Sequence, residues 1–504
     1  MIRFRIRHSG AIHSFWAAAL GSVLAITALI FMLAWRPKAA PDGKILLLYC
    51  AAGVKPPVDE IIKKYKAEYG VEIQLQSGSS GDLLAKIEIA GKGDLFLPAE
   101  ESYAKMAREK GVVAESIPVA RMHLVLGVKK GNPKNIHSIQ DLLKAGVRFG
   151  LPNTQAAAGR MAQTFLEKAS KWDQVAANAR TFKPVVTEVA GDVKMDALDA
   201  GIVWDATAIQ FGLDAITVQE FEGAVSNVTI NVLKDSRFPT AALRFARYMS
   251  ACDKGLLEFK KFHYEPVEGD NWEETPKISL FAGGLNRVAV KDTIEEFKQR
   301  EGVEVDSVFA GCGSLVGMMK TGRVPDIYFA CDGSFFMPEV SEFFKSSQVI
   351  SETDIVIIVP KGNLHGIHSL TDLGQSGLKV GIGGDLGTLG PLTRRLFKSV
   401  NATESILPNI RSEMPTADLL VAQVLTGGLD ASIVYAANAS TSKDQLDIIR
   451  IDNPLAIARQ PIAITKSGRH AALCSRLIEA IKSLRSRNRF EKLDFRWRAP
   501  SEKP

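Results

Sequence analysis

The stretch QSGSSGDLLAKIEIAGKGDLFLPAEESY, from Gln76 to Tyr103, comes back as FAGCGSLVGMMKTGRVPDIYFACDGSFF between Phe309 and Phe336. Ser80 meets Cys312, Leu83 meets Leu315 and Asp94 meets Asp326, each 232 positions on. Further segments repeat in the same order. KILLLYCAAG from Lys44 answers KISLFAGGLN from Lys277, and VRFGLPNTQAAAGRMAQ from Val147 answers LKVGIGGDLGTLGPLTRR from Leu378. That pairing sets Gly159 on Gly390, and LDAGIVWDATA from Leu198 answers LDASIVYAANA from Leu429, which sets Trp204 on Tyr435. A register held over this length means an internal duplication, so whatever fold one half adopts, the other adopts too.

The grammar inside each half is strand and helix in alternation. ILLLY is a continuous apolar run, the mark of a strand covered on both faces. Pro56 and Pro57 then open a helix, where a missing N–H leaves no bond unmade. Val58, Ile61, Ile62 and Tyr65 share one face, and Gly70 closes the helix. Such alternation predicts an α/β fold with a largely parallel sheet and helices on both faces. Between the halves, EPVEGDNWEETPK reads as an exposed acidic linker. The basic C-terminal stretch reads as the end of a helix followed by a solvated tail.

At its N-terminus the chain carries Arg3, Arg5 and Arg7 ahead of an apolar run from Phe15 to Trp35. A helix over those 21 residues would be about 31 Å long, near the thickness of a bilayer core. The run exceeds the apolar region of a cleaved signal peptide, and Lys38 breaks the small-residue pattern that cleavage needs. An uncleaved anchor is expected, with the bulk of the protein outside the cytoplasm. The domain expectation is 1–42 for the cytoplasmic tip and anchor (or signal peptide), 43–265 for the first repeat, 266–276 for the linker and 277–504 for the second repeat with its tail.

Composition removes several function classes. The net charge of +6 comes from 62 basic and 56 acidic residues, and no basic patch is interleaved with aromatics, so no nucleic-acid partner is expected. Five cysteines without a CxxC pair do not make a zinc site or a disulfide scaffold, and no cofactor is expected. GIGGDLGTLG, from Gly381 to Gly390, lacks the GxGxxG spacing of a dinucleotide fingerprint. No GxSxG elbow occurs, His123, His137 and His368 sit in no metal-spaced cluster, and no acid/base pair stands out, so an enzyme is not expected. Cys312 and Cys331 fall at the ends of neighbouring strands, where they are either adjacent thiols or two small space-filling residues.

What recurs in both halves is a small-residue turn after the first strand, two small-residue helix starts, and an aromatic after DAxIV. Helix starts of this kind offer unpaired N–H groups, a physical means of holding an anion. In that order, and above all in DLFLPAEESY and LDAGIVWDATA, the chain resembles the periplasmic molybdate-binding proteins of ABC transporters, within the type II periplasmic binding proteins. The resemblance covers roughly 43–265 and again 276–498. It implies two α/β lobes per repeat around a cleft that holds a tetrahedral oxyanion, molybdate or tungstate, with neutral donors. It also implies delivery to an ABC permease and an extracytoplasmic place at the inner membrane. Carried over, the donors of the first repeat fall at Ala52, Gly53, Ser79, Ser80, Ala158, Val186, Thr187 and Trp204. Those of the second fall at Gly284, Leu285, Cys312, Leu389, Ala417 and Tyr435. Gly53 and Leu285 stand where the family places a serine, Cys312 replaces another, and Trp204 replaces a tyrosine. The unequal clefts leave a second reading open, a membrane-tethered sensor or assembly module in which one cleft is a partner or thiol site.

Overall fold

The structure is a computed structural model that describes residues 45–500; the expected anchor lies outside the described residues. No helix among the described residues is long and apolar enough to cross a membrane. The strands of the first repeat are β1 (Ile45–Ala51), β2 (Glu72–Gly78), β3 (Leu95–Leu97), β4 (Val113–Val128), β5 (Phe149–Pro152), β6 (Thr181–Lys183), β7 (Ala200–Trp204), β8 (Asp214–Ile216), β9 (Val225–Leu233) and β10 (Glu265–Pro266). The second repeat supplies β11 (Lys277–Gly283), β12 (Glu304–Ala310), β13 (Ile327–Phe329), β14 (Gln348–Pro360), β15 (Val380–Gly383), β16 (Ile410–Met414), β17 (Ala431–Tyr435), β18 (Leu446–Arg450), β19 (Ile457–Ile464) and β20 (Arg496–Trp497).

The strand order is β2-β1-β3-β9-β4-β7-β5-β6 in the first repeat and β12-β11-β13-β19-β14-β17-β15-β16 in the second. The duplication therefore extends to every strand and to its register. Leu48 pairs with Leu95 as Leu280 pairs with Ile327, and Leu124 pairs with Trp204 as Ile355 pairs with Tyr435. One detail of the sequence alignment changes: Ile45, not Lys44, is the counterpart of Lys277, because Ile45 faces Glu72 as Lys277 faces Glu304. Lys277 is the first residue of β11, whereas Lys44 lies outside the described residues.

Each repeat is two α/β lobes joined by a shared strand. β4 pairs with β9 from Val113 to His123, and with β7 from Leu124 to Val128. It leaves one lobe and enters the other without a break, and β14 does the same in the second repeat. The first helix ends where the sequence predicts, and its counterpart ends in the same way. Helix Lys55–Tyr69 stops at Gly70 with φ of 69°, and helix Arg287–Glu301 stops at Gly302 with φ of 65°, a conformation that glycine adopts without penalty.

The repeats are not held by a free tether. Helix Pro239–Met249 of the first packs on helix Arg287–Glu301 of the second. At that seam the Glu301 carboxylate, 2% exposed, accepts from Arg247 Nη1 at 3.0 Å and from Arg476 Nε at 2.7 Å. Arg300 pairs with Glu115 across the same boundary. The linker segment keeps Glu268, Asn271, Glu273, Glu274 and Thr275 exposed but is pinned between them. The Asp270 carboxylate accepts from the N–H groups of Ala472 and Leu473, both at 2.9 Å, at the start of helix Ala471–Lys482. The Trp272 indole donates to the Tyr69 hydroxyl at 2.7 Å, and Pro276 is buried. An acidic residue beside an uncapped helix start and an indole beside tyrosines have better partners than water.

Burial pushes the Glu301 carboxyl up, but Arg476 and Arg247 more than offset it and hold it below the usual glutamate value. Burial pulls Arg247 down as well, yet a guanidinium stays charged. A carboxyl lowered in the folded state stabilises the protein above its unfolded pKa, about 4.3, and loses that contribution as pH falls through the folded value. Glu301→Gln leaves two guanidinium groups without their anion and is expected to destabilise the chain by about 3–5 kcal/mol at neutral pH. Denaturant melts at several pH values check this: the variant should also lose less stability than the parent below about pH 4.

Candidate functional site

In each repeat the carboxyl ends of the strands open into one cleft between the lobes, the place where open α/β sheets take ligands. In the first repeat, β1 ends at Ala51 and runs into a short 3-10 turn, Ala52–Val54. Helix Ser80–Ala90 follows β2, helix Ala157–Lys168 follows β5, and helix Val186–Lys194 follows β6. Trp204 ends β7. The N-caps Ala156 and Val185 make no side-chain cap bond, so the first N–H groups of those two helices are left for whatever occupies the cleft. Among the described residues, no charged side chain lines it.

Seven of the eight residues expected there line this cleft together: Ala52, Gly53, Ser79, Ser80, Ala158, Val186 and Trp204. Thr187 does not. It is half-buried one position further along its helix, where a helical step turns it away. The two serines differ. Ser79 Oγ accepts from the Asp82 N–H at 3.2 Å and donates to the Asp82 carboxylate at 2.7 Å, so its one proton is taken. Ser80 Oγ accepts from the Ala99 N–H at 3.1 Å, which leaves its own proton free to donate. Gly53 is explained by Trp204. A Cβ at Gly53 would lie 3.0 Å from Val186 Cγ1 and 3.3 Å from Trp204 Cδ1, so a serine there would require Val186 and the indole to shift.

The lobes touch through residues the sequence reading passed over. The Gly81 N–H donates to the Gln155 carbonyl at 3.0 Å, and the Tyr103 hydroxyl donates to the same carbonyl at 3.0 Å. A Cβ at Gly81 would come within 2.9 Å of that oxygen. Glycine inside a first helical turn is the signal that could have shown this, since it weakens a helix unless another backbone approaches. Gly313 keeps the same approach in the second repeat, against Leu386. Gly159 and Gly390 serve helix packing: a Cβ would meet the Asn153 carbonyl at 2.0 Å in one and the Gly384 carbonyl at 2.4 Å in the other.

The second cleft brings together all six residues expected there, Gly284, Leu285, Cys312, Leu389, Ala417 and Tyr435. Helices Cys312–Lys320, Leu389–Ser399 and Ala417–Leu425 start at it, and their N-caps Gly311, Thr388 and Thr416 make no side-chain cap bond. The chemistry around these helix starts has changed. Cys312 Sγ accepts from the Cys331 N–H at 3.2 Å, as Ser80 does from Ala99. Both cysteines are buried free thiols. Asp418 also lines this cleft, beside Asn438. Among the described residues, no group of three or more His, Cys, Asp and Glu is placed to hold a metal ion.

The family described as bacterial extracellular solute-binding protein matches the chain twice, over residues 46–264 and 278–496. A protein of Haemophilus influenzae named as a candidate binding protein is 28% identical over 230 residues, which is 43% of this chain and 91% of that one. The molybdate-binding protein ModA of Escherichia coli is 26% identical over 232 residues, 42% of this chain and 89% of that one. Among solved structures, the periplasmic molybdate-binding protein of Azotobacter vinelandii is 20% identical, with a TM-score of 0.39, covering 44% of this chain and 100% of that one. The chain belongs to the bacterial extracellular solute-binding proteins and carries that family's type II periplasmic binding fold twice in tandem.

Proposed function

We propose that this chain is an extracytoplasmic receptor whose first cleft holds a tetrahedral oxyanion of the molybdate and tungstate class for an ABC permease. The observation that carries the reading is the donor set of the first cleft: uncapped helix starts and the free Ser80 proton, with no charged side chain lining it. A buried dianion must recover its lost hydration as hydrogen bonds. Helix-start N–H groups and a hydroxyl supply them without a cation. No carboxylate lines the cleft to accept a hydrogen bond, since the Asp82 carboxylate is taken up by Ser79, so a fully deprotonated dianion suits the cleft better than hydrogen phosphate does. The likeness to a molybdate-binding protein supports the same ligand class. In this reading Ala52, Gly53, Ala158 and Val186 present backbone to the anion, Ser80 and Trp204 donate from side chains, and Ser79 acts as a helix cap. The apolar run from Phe15 to Trp35 would hold residues 43–265 and 277–504 at the outer face of the membrane.

The second cleft supports the alternative role. It has no hydroxyl at position 312 and an aspartate in its lining, both unfavourable to a dianion. We therefore assign it a different ligand from that of the first.

Calorimetry of the full chain against molybdate, tungstate, sulfate and phosphate at equal salt tests the first cleft. Molybdate and tungstate should bind tightly. Ser80→Ala should weaken them by about tenfold to a hundredfold, the loss of one hydrogen bond to a charged partner at about 1.5–3 kcal/mol. Ser79→Ala should cost about 1 kcal/mol of stability as a lost cap and leave affinity nearly unchanged. A Ser80→Ala protein that binds like the parent would sink the assignment.

A further inference from the structure

The second cleft differs from the first by a set of substitutions that fit one another. Cys312 stands in place of Ser80, and Cys331 in place of Ala99. Tyr328 replaces Phe96, Thr388 replaces Ala157, and Gly283 replaces Ala51. The last change makes room for the others. A Cβ at Gly283 would lie 2.1 Å from Cys331 Sγ and 2.9 Å from Cys312 Sγ. Measured from that one point, the two sulfurs are at most 5.0 Å apart. Cys312 is 0% and Cys331 4% exposed.

Three hydroxyls gather around the two thiols: Tyr328 and Thr388 face the Cys312 sulfur and Tyr435 faces Thr388, none of them in a hydrogen bond of good geometry. All three are buried, and Thr388 and Tyr435 line the cleft. Buried hydroxyls held only by poor geometry are costly, and several at one spot leave donors for a ligand that enters. Burial pushes the Cys312 thiol up, but the Cys331 thiol and N–H and the hydroxyls of Thr388 and Tyr328 outweigh it and favour its thiolate. Cys331, which serves as donor to it, is pushed up.

The cleft thus keeps the uncapped helix starts that suit oxygen atoms and adds two sulfurs that suit a soft, thiophilic centre. A ligand that satisfies both has a thiophilic atom bearing hydroxyl groups. It should also be uncharged, given Asp418 in the lining. We propose that the second cleft is a dithiol site for a trivalent arsenic or antimony oxyacid, captured by Cys312 and Cys331. The step is a ligand exchange. Each sulfur forms a bond to arsenic as an arsenic–oxygen bond breaks, and the departing hydroxide takes the thiol proton and leaves as water. Arsenic stays trivalent, nothing is oxidised or reduced, and the remaining hydroxyl is left to the Tyr435 and Thr388 hydroxyls and the helix-start N–H groups. Both sulfurs are buried with the lobes together, so entry requires the lobes to part.

The inference rests on the second cleft being a ligand site and not on what the first cleft holds. The test uses the full chain, reduced, desalted without oxygen and titrated with sodium arsenite. One arsenic per chain should bind. Cys312 and Cys331 should be protected together from alkylation, while Cys50, Cys252 and Cys474 remain as reactive as before. Cys312→Ser and Cys331→Ser should each weaken arsenite binding by about a hundredfold, roughly two tenfold steps in free-energy terms, and leave molybdate binding by the first cleft intact as proof of folding. The proposal is overturned if the reduced chain binds no arsenite, if the Cys312→Ser, Cys331→Ser double variant binds it like the parent, or if cuprous ion is taken up and arsenite is not. It is equally overturned if the two cysteines are found only as a disulfide that resists reduction in the folded chain. Arsenite binding without molybdate binding would remove the first-cleft assignment and leave this one standing.

Discussion

An α-helix cannot satisfy its own first N–H groups, and at both clefts of this protein several helices begin with no side chain to do so. The strand order sets those helix starts at the carboxyl ends of the sheet, facing one another across the gap between lobes. Everything functional follows from that arrangement. Small residues at the starts let a ligand reach the backbone, and a shared strand, β4 or β14, fixes how the two lobes meet. Donors fixed by backbone geometry need little ordering on binding, which favours recognition by hydrogen bonds over recognition by mobile cations.

Duplication kept this scaffold and released its chemistry. The position of Ser80 and Cys312 is the same to the hydrogen bond, since each accepts from the N–H of the residue 19 positions on. What the hydroxyl or thiol offers a ligand is not the same. The buried seam between the repeats couples their folding, because Glu301 belongs to the second repeat and its partner Arg247 to the first. With Asp270 also capping a helix of the second repeat, the chain is one assembly more than two beads on a string.

Much of this was legible in the sequence. The repeat and the βα alternation follow from local pattern, the cleft residues came from the family resemblance, and all but Thr187 line the clefts they were expected to line. Thr187 failed because adjacent helix positions point apart, and a helix start read from sequence is uncertain by that much. Ser79 and Ser80 could not be told apart, since the residue types that cap helices are those that bind anions. The pinned linker was illegible because its partners, Tyr69 and the helix starting at Ala471, lie far away in the chain. The neighbouring thiols were half legible: strand order suggested that Cys312 and Cys331 could meet, but the Cys331 N–H bond and the space left by Gly283 depend on the register of β11 and β13.

The central claim is that two clefts of one ancestry now recognise different ligands. Native mass spectrometry of the full chain in excess molybdate tests it most directly, by counting bound oxyanions. One molybdate per chain is the predicted result, with the concentration needed for half occupancy raised about tenfold to a hundredfold in Ser80→Ala and unchanged in Cys312→Ser. Two equivalent molybdates per chain, or one whose occupancy is unchanged in Ser80→Ala and falls in Cys312→Ser, would contradict it.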